Sequence, residues 1–251
     1  MWNDLNTAHI PGVIGTSIEM PGHEGKNIHA YFARPTEPGQ YPGIVLIPHM
    51  PGWDEWCFEE SRRLAQHGYQ VLCPNIYEDF GHGKPGEVSQ RMREAGMVHD
   101  DSVMGDAKAS LDCLRADENS NGKVGVIGMC SGGRHAFLAA CTLDFDAAVD
   151  CWGGGVIQDS VSEARPVAPI DLAENLSCPL LGIFGNEDRN PTKEDVDKTE
   201  EVLKALGKDY TFYRYDGAGH GIWYYHTPMY RQEQAMDSQE KVYDFFEKWL
   251  R

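Results

Sequence analysis

A glycine-rich turn between a predicted strand and a predicted helix constrains this chain more than any other feature. The apolar run Val124–Ile127 leads into Gly128-Met129-Cys130-Ser131-Gly132-Gly133, and a helix-forming stretch over residues 134–142 follows. Small residues around Cys130 allow a tight turn whose central side chain stands exposed above a sheet. The positive end of the following helix favours a thiolate there. The pattern indicates a nucleophile at Cys130; the alternative is a buried cysteine in a glycine-rich turn.

Two strand ends downstream carry the groups that such a nucleophile needs. A nucleophilic cysteine requires a base to take its proton and an acid to orient that base. The apolar run 179–184 leads into a loop with Glu187 and Asp188, and the run 210–215 leads into a glycine-rich loop with His220. Open α/β sheets bind their ligands beyond the carboxyl ends of their strands. We predict Asp188 as the acid, with Glu187 as its weaker rival, and His220 as the base.

Predicted strands alternate with predicted helices throughout the chain. We expect strands at 13–19, 27–33, 43–47, 70–73, 124–127, 146–152, 179–184 and 210–215, and helices at 54–67, 98–115, 134–142, 193–206 and over a C-terminal stripe of Val242, Phe245, Phe246, Trp249 and Leu250. This alternation implies an α/β fold, a mostly parallel central sheet with helices on both faces. The first two strands are expected to form an antiparallel edge. Residues 77–96 lack a clear period and are expected to be a long loop.

Length and charge limit the kind of protein and its partners. The chain has 251 residues and no visible linker, so we expect one domain over residues 1–251. A formal net charge of −17 argues against nucleic acid and anionic membranes as partners. We expect a small-molecule substrate and a monomer or homodimer. No apolar run reaches the length of a membrane span.

The cysteines and the start of the chain bear on its compartment. Seven cysteines are scattered without a C-x-x-C pair, which predicts neither a zinc site nor a disulfide framework. Most lie in apolar stretches, as small buried residues do in a reducing compartment. Residues 1–6 lack the basic and apolar regions of a signal peptide. We therefore expect a cytoplasmic protein without a metal or cofactor.

Two backbone amides are predicted to stabilise the negative oxygen of a tetrahedral intermediate. One is the N–H of Ser131, at the start of the helix after Cys130. The other comes from the loop after the strand 43–47, where the flanking prolines leave His49 and Met50 as donors, and we favour Met50. The alternative is that this segment is only a strand-ending turn. The aromatic side chains near these groups are expected to form pocket walls: Trp53, Trp56, Trp223, Tyr224 and Tyr225.

Nearly the whole chain, about residues 10–250, resembles the dienelactone hydrolase family. The resemblance is strongest over residues 121–133, around the cysteine turn, and extends to the Phe-Gly-Asn-Glu-Asp and Tyr-Asp-Gly-Ala-Gly-His segments that end at Asp188 and His220. It implies an α/β-hydrolase fold and a Cys-Asp-His hydrolase of esters or lactones that needs no cofactor. By position, Cys130 is the nucleophile, Asp188 the acid and His220 the base.

Three positions depart from the family pattern. The founding enzymes place a glutamate beside the nucleophile, where this chain has His49. They hold the substrate carboxylate with two arginines, where this chain has aromatic residues at 223–225 and acidic ones near 77–79. Arg134 supplies a charge one helical turn after Cys130, and a structural ion pair is its alternative role. His49, Trp53, Arg134, Trp223 and Tyr224 are the candidate substrate-binding residues.

These features predict a hydrolase that cleaves a carboxylic ester or lactone of an aromatic or apolar small molecule. The missing arginine clamp argues against dienelactone itself as substrate. A redox-sensing thiol protein also needs a reactive cysteine, but it does not need Asp188 and His220 in this order. A non-catalytic binding module on the same scaffold is the other alternative.

Overall fold

The computed structural model describes residues 12–158 and 160–251. The segment examined for a signal peptide, residues 1–6, lies outside the described residues. The chain divides into two compact units, one reaching residue 124 and the other covering residues 125–251. The expectation of one domain over the whole length stays a prediction. No helix in the described part of the chain has both the length and the apolar character needed to cross a bilayer.

The first unit contains an antiparallel edge next to a parallel strand pair. Its strands are β1 (Val13–Pro21), β2 (Asn27–Pro35), β3 (Tyr41–Ile47) and β4 (Gln70–Pro74), in the order β1-β2-β4-β3. β1 pairs antiparallel with β2 and β2 with β4, whereas β3 and β4 run parallel. The predicted antiparallel edge is confirmed. The helices are α1 (Glu55–Gln66), α2 (Pro85–Glu94) and α3 (Asp100–Ala116).

The second unit is a parallel sheet with three helices. Strand β5 (Ser120–Met129) enters it, and β6 (Ala147–Cys151), β7 (Leu180–Gly185) and β8 (Tyr210–Tyr215) follow in sequence order. All three pairings are parallel. The helices are α4 (Ser131–Thr142), α5 (Lys193–Ala205) and α6 (Gln232–Leu250). The predicted α/β class with a mostly parallel sheet is confirmed.

The C-terminal helix shows how side-chain periodicity builds this core. Val242, Phe246 and Leu250 of α6 are buried, and the helix packs on β6 and β7. Strand β5 lies close to this helix at Gly125, where an added Cβ would be 2.8 Å from the ring of Phe246. The sheet therefore needs glycine there to accept the helix. The stripe is otherwise as predicted, although Phe245 and Trp249 remain partly exposed.

The expectation of a long loop over residues 77–96 is wrong. A 3₁₀ turn covers Glu78–Phe80, and α2 follows. Pro85 opens the helix, where its missing N–H costs nothing. The Arg91 guanidinium ties the helix to the preceding turn through the carbonyls of Phe80, at 2.6 Å, and His82, at 2.9 Å. Only two residues of α2 are buried, so the helix has almost no apolar period to detect.

Candidate active site

The turn at the end of β5 holds Cys130 in a strained backbone conformation. Its φ is 58° and its ψ is −122°, a backbone conformation that residues other than glycine rarely adopt. The Cys130 N–H donates to the carbonyl of Cys151 at 3.0 Å, which fixes the turn against the end of β6. At Gly128 an added Cβ would lie 2.0 Å from the carbonyl oxygen of Gly132, so only glycine fits. The strand, sharp turn and helix predicted around Cys130 are present.

The ends of β7 and β8 bring Asp188 and His220 together. Their strands pair in parallel, and the amide of Glu187 donates to the carbonyl of Ala218 at 2.9 Å, so the two loops are tied. The Asp188 Oδ2 lies 2.8 Å from the His220 Nδ1, while its Oδ1 accepts from the Asn190 amide at 2.9 Å. The Asp188 side chain is 3% exposed and that of His220 is 28% exposed. Glu187 points its side chain to solvent, and Asp188 is the carboxylate that holds the imidazole.

The electrostatics of His220 link it to both neighbours. Burial opposes a charge on the ring, but hydrogen bonds with Asp188 and Cys130 outweigh it and raise the pKa of His220 to about 10. The imidazole therefore interacts electrostatically with both a carboxylate and a thiol. An imidazole paired with a carboxylate has the chemistry of a general base, a role that stays a prediction for His220.

Four of the other residues predicted for this unit are buried, and Tyr225 is half-buried. The Arg134 side chain is inaccessible, and its Nε donates to the Gly155 carbonyl at 3.1 Å. The Trp223 indole N–H donates to the Ser238 hydroxyl at 2.8 Å. Tyr224 is 5% exposed, and Ser131 begins α4 directly after Cys130. Their substrate-binding and oxyanion roles stay predictions.

Sequence reasoning missed Trp152, which follows β6. Its φ is 42°, it is fully buried, and its indole N–H has no hydrogen-bond partner. Its ring meets those of Trp223 and Tyr224 edge-on, at centroid distances of 5.3 and 5.9 Å. The available signal was its position just beyond a strand end, next to the strand that ends before Cys130.

The residues predicted after β3 lie in the first unit. His49 is 3% exposed, and its Nε2 lies 3.1 Å from the Asp54 Oδ2. Trp53 donates its indole N–H to the Cys73 carbonyl at 2.9 Å. It also lines a cavity of about 270 Å³ with Tyr77 and other side chains of this unit.

Met50 is half-buried in the loop after β3. Trp56 is buried, with its ring stacked on that of His49 at 5.1 Å.

One cluster in the first unit has donors of the metal-ligating type. One atom each of His49, Asp54 and Cys57 lies within 4.8 Å of the other two. Imidazole nitrogen, carboxylate oxygen and thiolate sulfur are the ligands that zinc takes in proteins. The scattered cysteines predicted no metal site, and no sequence pattern pointed to this cluster.

Known proteins are similar to this chain over most of its length. A model of the dienelactone hydrolase family matches residues 28–250. A protein of Methylorubrum extorquens named "Putative carboxymethylenebutenolidase" is 31% identical, covering 95% of this chain and 82% of the relative. One of the same name from Escherichia coli K12 is 29% identical, covering 90% of this chain and 84% of the relative.

Solved structures show the same fold. The structure of a "Putative Dienelactone Hydrolase" from Klebsiella pneumoniae has a TM-score of 0.86 at 26% identity, covering 94% of this chain and 99% of that one. A dienelactone hydrolase-like promiscuous phosphotriesterase from metagenomic libraries has a TM-score of 0.76 at 20% identity, covering 96% of this chain and 100% of its own. The second likeness concerns the fold alone. The predicted α/β-hydrolase fold is confirmed.

Proposed function

Because the chain belongs to the dienelactone hydrolase family, we propose that it hydrolyses carboxylic esters or lactones with Cys130 as nucleophile. Asp188 is the orienting acid and His220 the base. The observation that carries the proposal is the His220 ring, whose Nδ1 lies 2.8 Å from the Asp188 Oδ2 and whose pKa is raised by both Asp188 and Cys130. Cys130, Asp188 and His220 follow three strand ends in the chain order of a hydrolase triad, which supports the proposal.

The proposed cycle has two acyl-transfer steps. His220 takes the Cys130 proton, and the thiolate attacks the carbonyl carbon of the ester. The carbon–oxygen bond then breaks, the leaving alkoxide takes the proton from His220, and a thioester remains on Cys130. Water next attacks the thioester while His220 accepts its proton. The acid product leaves, and the proton returns to the thiolate.

The oxyanion of each tetrahedral intermediate requires donors, for which we propose two amides. The Ser131 N–H is one, since it opens α4 directly after the nucleophile. The Met50 N–H is the other, because Pro51 has no N–H and Met50 follows the end of β3. Amides at a helix start also carry the positive end of the helix dipole.

The substrate we propose is a neutral or weakly polar ester with an aromatic or apolar part. Arg134, the candidate charge near Cys130, is bonded to the Gly155 carbonyl and to the Gln158 side chain at 3.5 Å. It is therefore engaged within its own unit rather than offered to a carboxylate.

A redox-sensing thiol protein is the second candidate, and the geometry gives it less support. Such a sensor needs an accessible low-pKa thiol, but it gains nothing from a histidine aligned by a buried carboxylate. The hydrolase uses all three groups.

The test is a panel of aryl esters, aliphatic esters, and acidic and neutral lactones, assayed with the wild type and Cys130→Ser. We expect the fastest turnover with neutral aryl esters and a large loss in Cys130→Ser, since a serine hydroxyl is a much weaker acid than a thiol. Cys113→Ser is the matched control, because Cys113 is an exposed cysteine on α3. Rapid sulfenate formation at Cys130 under mild oxidant, with no turnover of any ester, would instead support the sensor.

A further inference from the structure

Asp150 is a buried carboxyl group on the face of the sheet that supports the nucleophile turn. It lies in β6 and is 2% exposed. Its partners in the parallel pairing are Gly128 on β5 and Gly182 on β7. Gly128 packs directly against the first turn of α4. Because side chains at paired positions share a face of the sheet, Asp150 faces the same helix.

The Asp150 side chain is wedged between α4 and the turn after β6. Its Oδ1 accepts from the Gly153 amide at 2.8 Å. An added Cβ would lie 2.4 Å from this oxygen at Gly133 and 2.3 Å from it at Gly153. The carboxyl group therefore contacts both the turn after β6 and the first turn of the helix that follows Cys130.

The turn after β6 also holds the backbone of Cys130. The Cys151 carbonyl accepts from the Cys130 amide at 3.0 Å, and Trp152, with a φ of 42°, stands between that carbonyl and Gly153. A residue other than glycine keeps such a φ only when its surroundings hold it there. The hydrogen bond from Gly153 to Asp150 is one of these supports. It therefore helps to set the position of the Cys151 carbonyl.

No cation among the described residues forms an ion pair with Asp150. Its hydrogen-bond donor is the Gly153 amide. Helix α4 faces it with Gly133, whereas the Arg134 guanidinium is bound to the Gly155 carbonyl. A buried carboxylate without a cation costs free energy, so these surroundings favour the protonated form.

The other groups that face the carboxyl are apolar, polar or acidic. Asp150 lines a cavity of about 10 Å³ with apolar side chains and with Asp195 and Thr199 of α5. Asp195 is itself an acid, and the Thr199 hydroxyl donates to the backbone carbonyl of that residue at 2.8 Å. Burial raises the pKa of Asp150 from 3.8 to about 7, and the Gly153 amide opposes this only in part.

We propose that Asp150 is a positioning residue for Cys130, and that its protonated form holds the nucleophile turn in place. Loss of the proton leaves a buried charge with one hydrogen-bond donor. The turn after β6 and the start of α4 then shift to bring water or a further donor to the carboxylate, and Cys130 shifts with them. Asp150 touches no reacting atom, and the effect on catalysis rests on the proposed function.

The test compares wild type with Asp150→Asn, which keeps an oxygen acceptor for the Gly153 amide but has no acidic proton. The ratio of kcat, wild type to variant, cancels the titration of Cys130 and His220, which both proteins share. We expect a ratio of about one at pH 5.5 that falls with a midpoint of about pH 7. A misplacement of about 1 Å costs roughly 10²-fold in rate, so a smaller shift should lower the ratio about 10-fold by pH 9, with KM nearly constant.

A second variant and a control accompany this comparison. Asp150→Ser keeps a neutral oxygen in a smaller side chain, and it serves if Asp150→Asn does not fold. Its ratio should fall with the same midpoint. Asp244→Asn is the matched control, because it removes an exposed carboxyl on α6, and its ratio should not change with pH.

Urea unfolding gives a readout that needs no substrate. Because the pKa of Asp150 is raised from 3.8 to about 7, the folded protein keeps between these pH values a proton that the unfolded chain has lost. The urea midpoint of wild type, relative to Asp150→Asn, should therefore fall from about pH 4 to about pH 7 and stay constant at higher pH.

Two results would overturn the positioning role. One is a kcat ratio that is independent of pH in each variant that folds. The other is a fall carried by KM with kcat unchanged, which would place the effect on substrate binding. If wild type turns over no ester, the proposed function fails, and the rate of Cys130 alkylation by iodoacetamide replaces kcat in the ratio. A step near pH 7 in that ratio supports the role of Asp150, and a flat ratio overturns it.

Discussion

Each unit of this protein contains a cysteine and an aspartate that both raise the pKa of one histidine, and the two sets differ in what they expose. In the second unit, Asp188 lies 2.8 Å from His220; in the first, Asp54 lies 3.1 Å from His49. In both cases burial is outweighed by the partners, and the pKa of the histidine is raised to about 10. Composition, distance and charge therefore do not separate them.

Burial and backbone geometry do separate the two sets. The His220 side chain is 28% exposed, and that of its partner Asp188 is 3% exposed. In the other set the His49 side chain is 3% exposed, and that of Asp54 is 21% exposed. Cys130 stands on a strained turn and is partly exposed, but Cys57 lies within the first turn of α1 and is fully buried. A Cys-His-Asp set becomes a candidate for chemistry only where the backbone presents the sulfur and the imidazole.

Removal of the nucleophile or the base should give the largest contrast between the two sets. We expect Cys130→Ala and His220→Ala each to lower kcat by at least ~10³-fold with the fold retained, because the thiolate and its proton acceptor act as a unit. Cys57→Ala is expected to change kcat by less than about 10-fold, because Cys57 is a buried residue outside the proposed triad. Steady-state hydrolysis of an aryl ester and circular dichroism measure both effects. Near-wild-type activity of Cys130→Ala or His220→Ala would defeat the proposed mechanism.

Thiol reactivity offers a contrast of intermediate size. We expect iodoacetamide to label Cys130 in the native protein at least about 100-fold faster than Cys57, because only an accessible thiolate reacts. Peptide mass spectrometry after timed labelling measures the ratio. A Cys113→Ser background removes the exposed cysteine. Labelling in guanidinium is the control, because both sulfurs are then accessible. Equal labelling rates of Cys130 and Cys57 in the native protein would contradict the prediction.

The pH dependence of stability should give the smallest contrast. The pKa of His49 is raised from 6.5 to about 10, so its contribution to the free energy of unfolding is fully present below pH 6.5 and is lost as the pH rises towards 10. The difference between wild type and His49→Gln is expected to fall by about 2 kcal/mol over that range. Urea unfolding at pH 6, 8 and 10 measures it.

The same measurement on His220→Gln sharpens the comparison. Its folded-state pKa is also raised from 6.5 to about 10, so the loss has the same direction and pH range. The difference in unfolding free energy between wild type and His220→Gln should fall by less, because water screens the more exposed ring. A difference that stays constant with pH in His49→Gln would mean that the buried imidazole is neutral in the folded protein.

Local sequence patterns were sufficient for most of the fold. Strand runs, the C-terminal apolar stripe and the glycine turn at Cys130 depend on neighbouring residues, so periodicity reveals them. Helix α2 was not predicted, because side-chain contacts such as those of Arg91 attach it to the preceding turn and it has almost no apolar face. The sequence also favoured Asp188 over Glu187 as the acid; Asp188 lies 2.8 Å from the His220 ring, and its catalytic role stays a prediction.

By itself, then, the sequence determined the α/β alternation, the strained cysteine turn and the order of cysteine, aspartate and histidine, because each is encoded within a few residues of one strand end. Tertiary structure alone decided which side chains are buried and which partners they meet. It tied Arg134 to the 155–158 loop, put Trp152 in a buried aromatic cluster and enclosed His49 with Asp54. Burial and partner choice depend on residues far apart in the chain, and no local pattern records them.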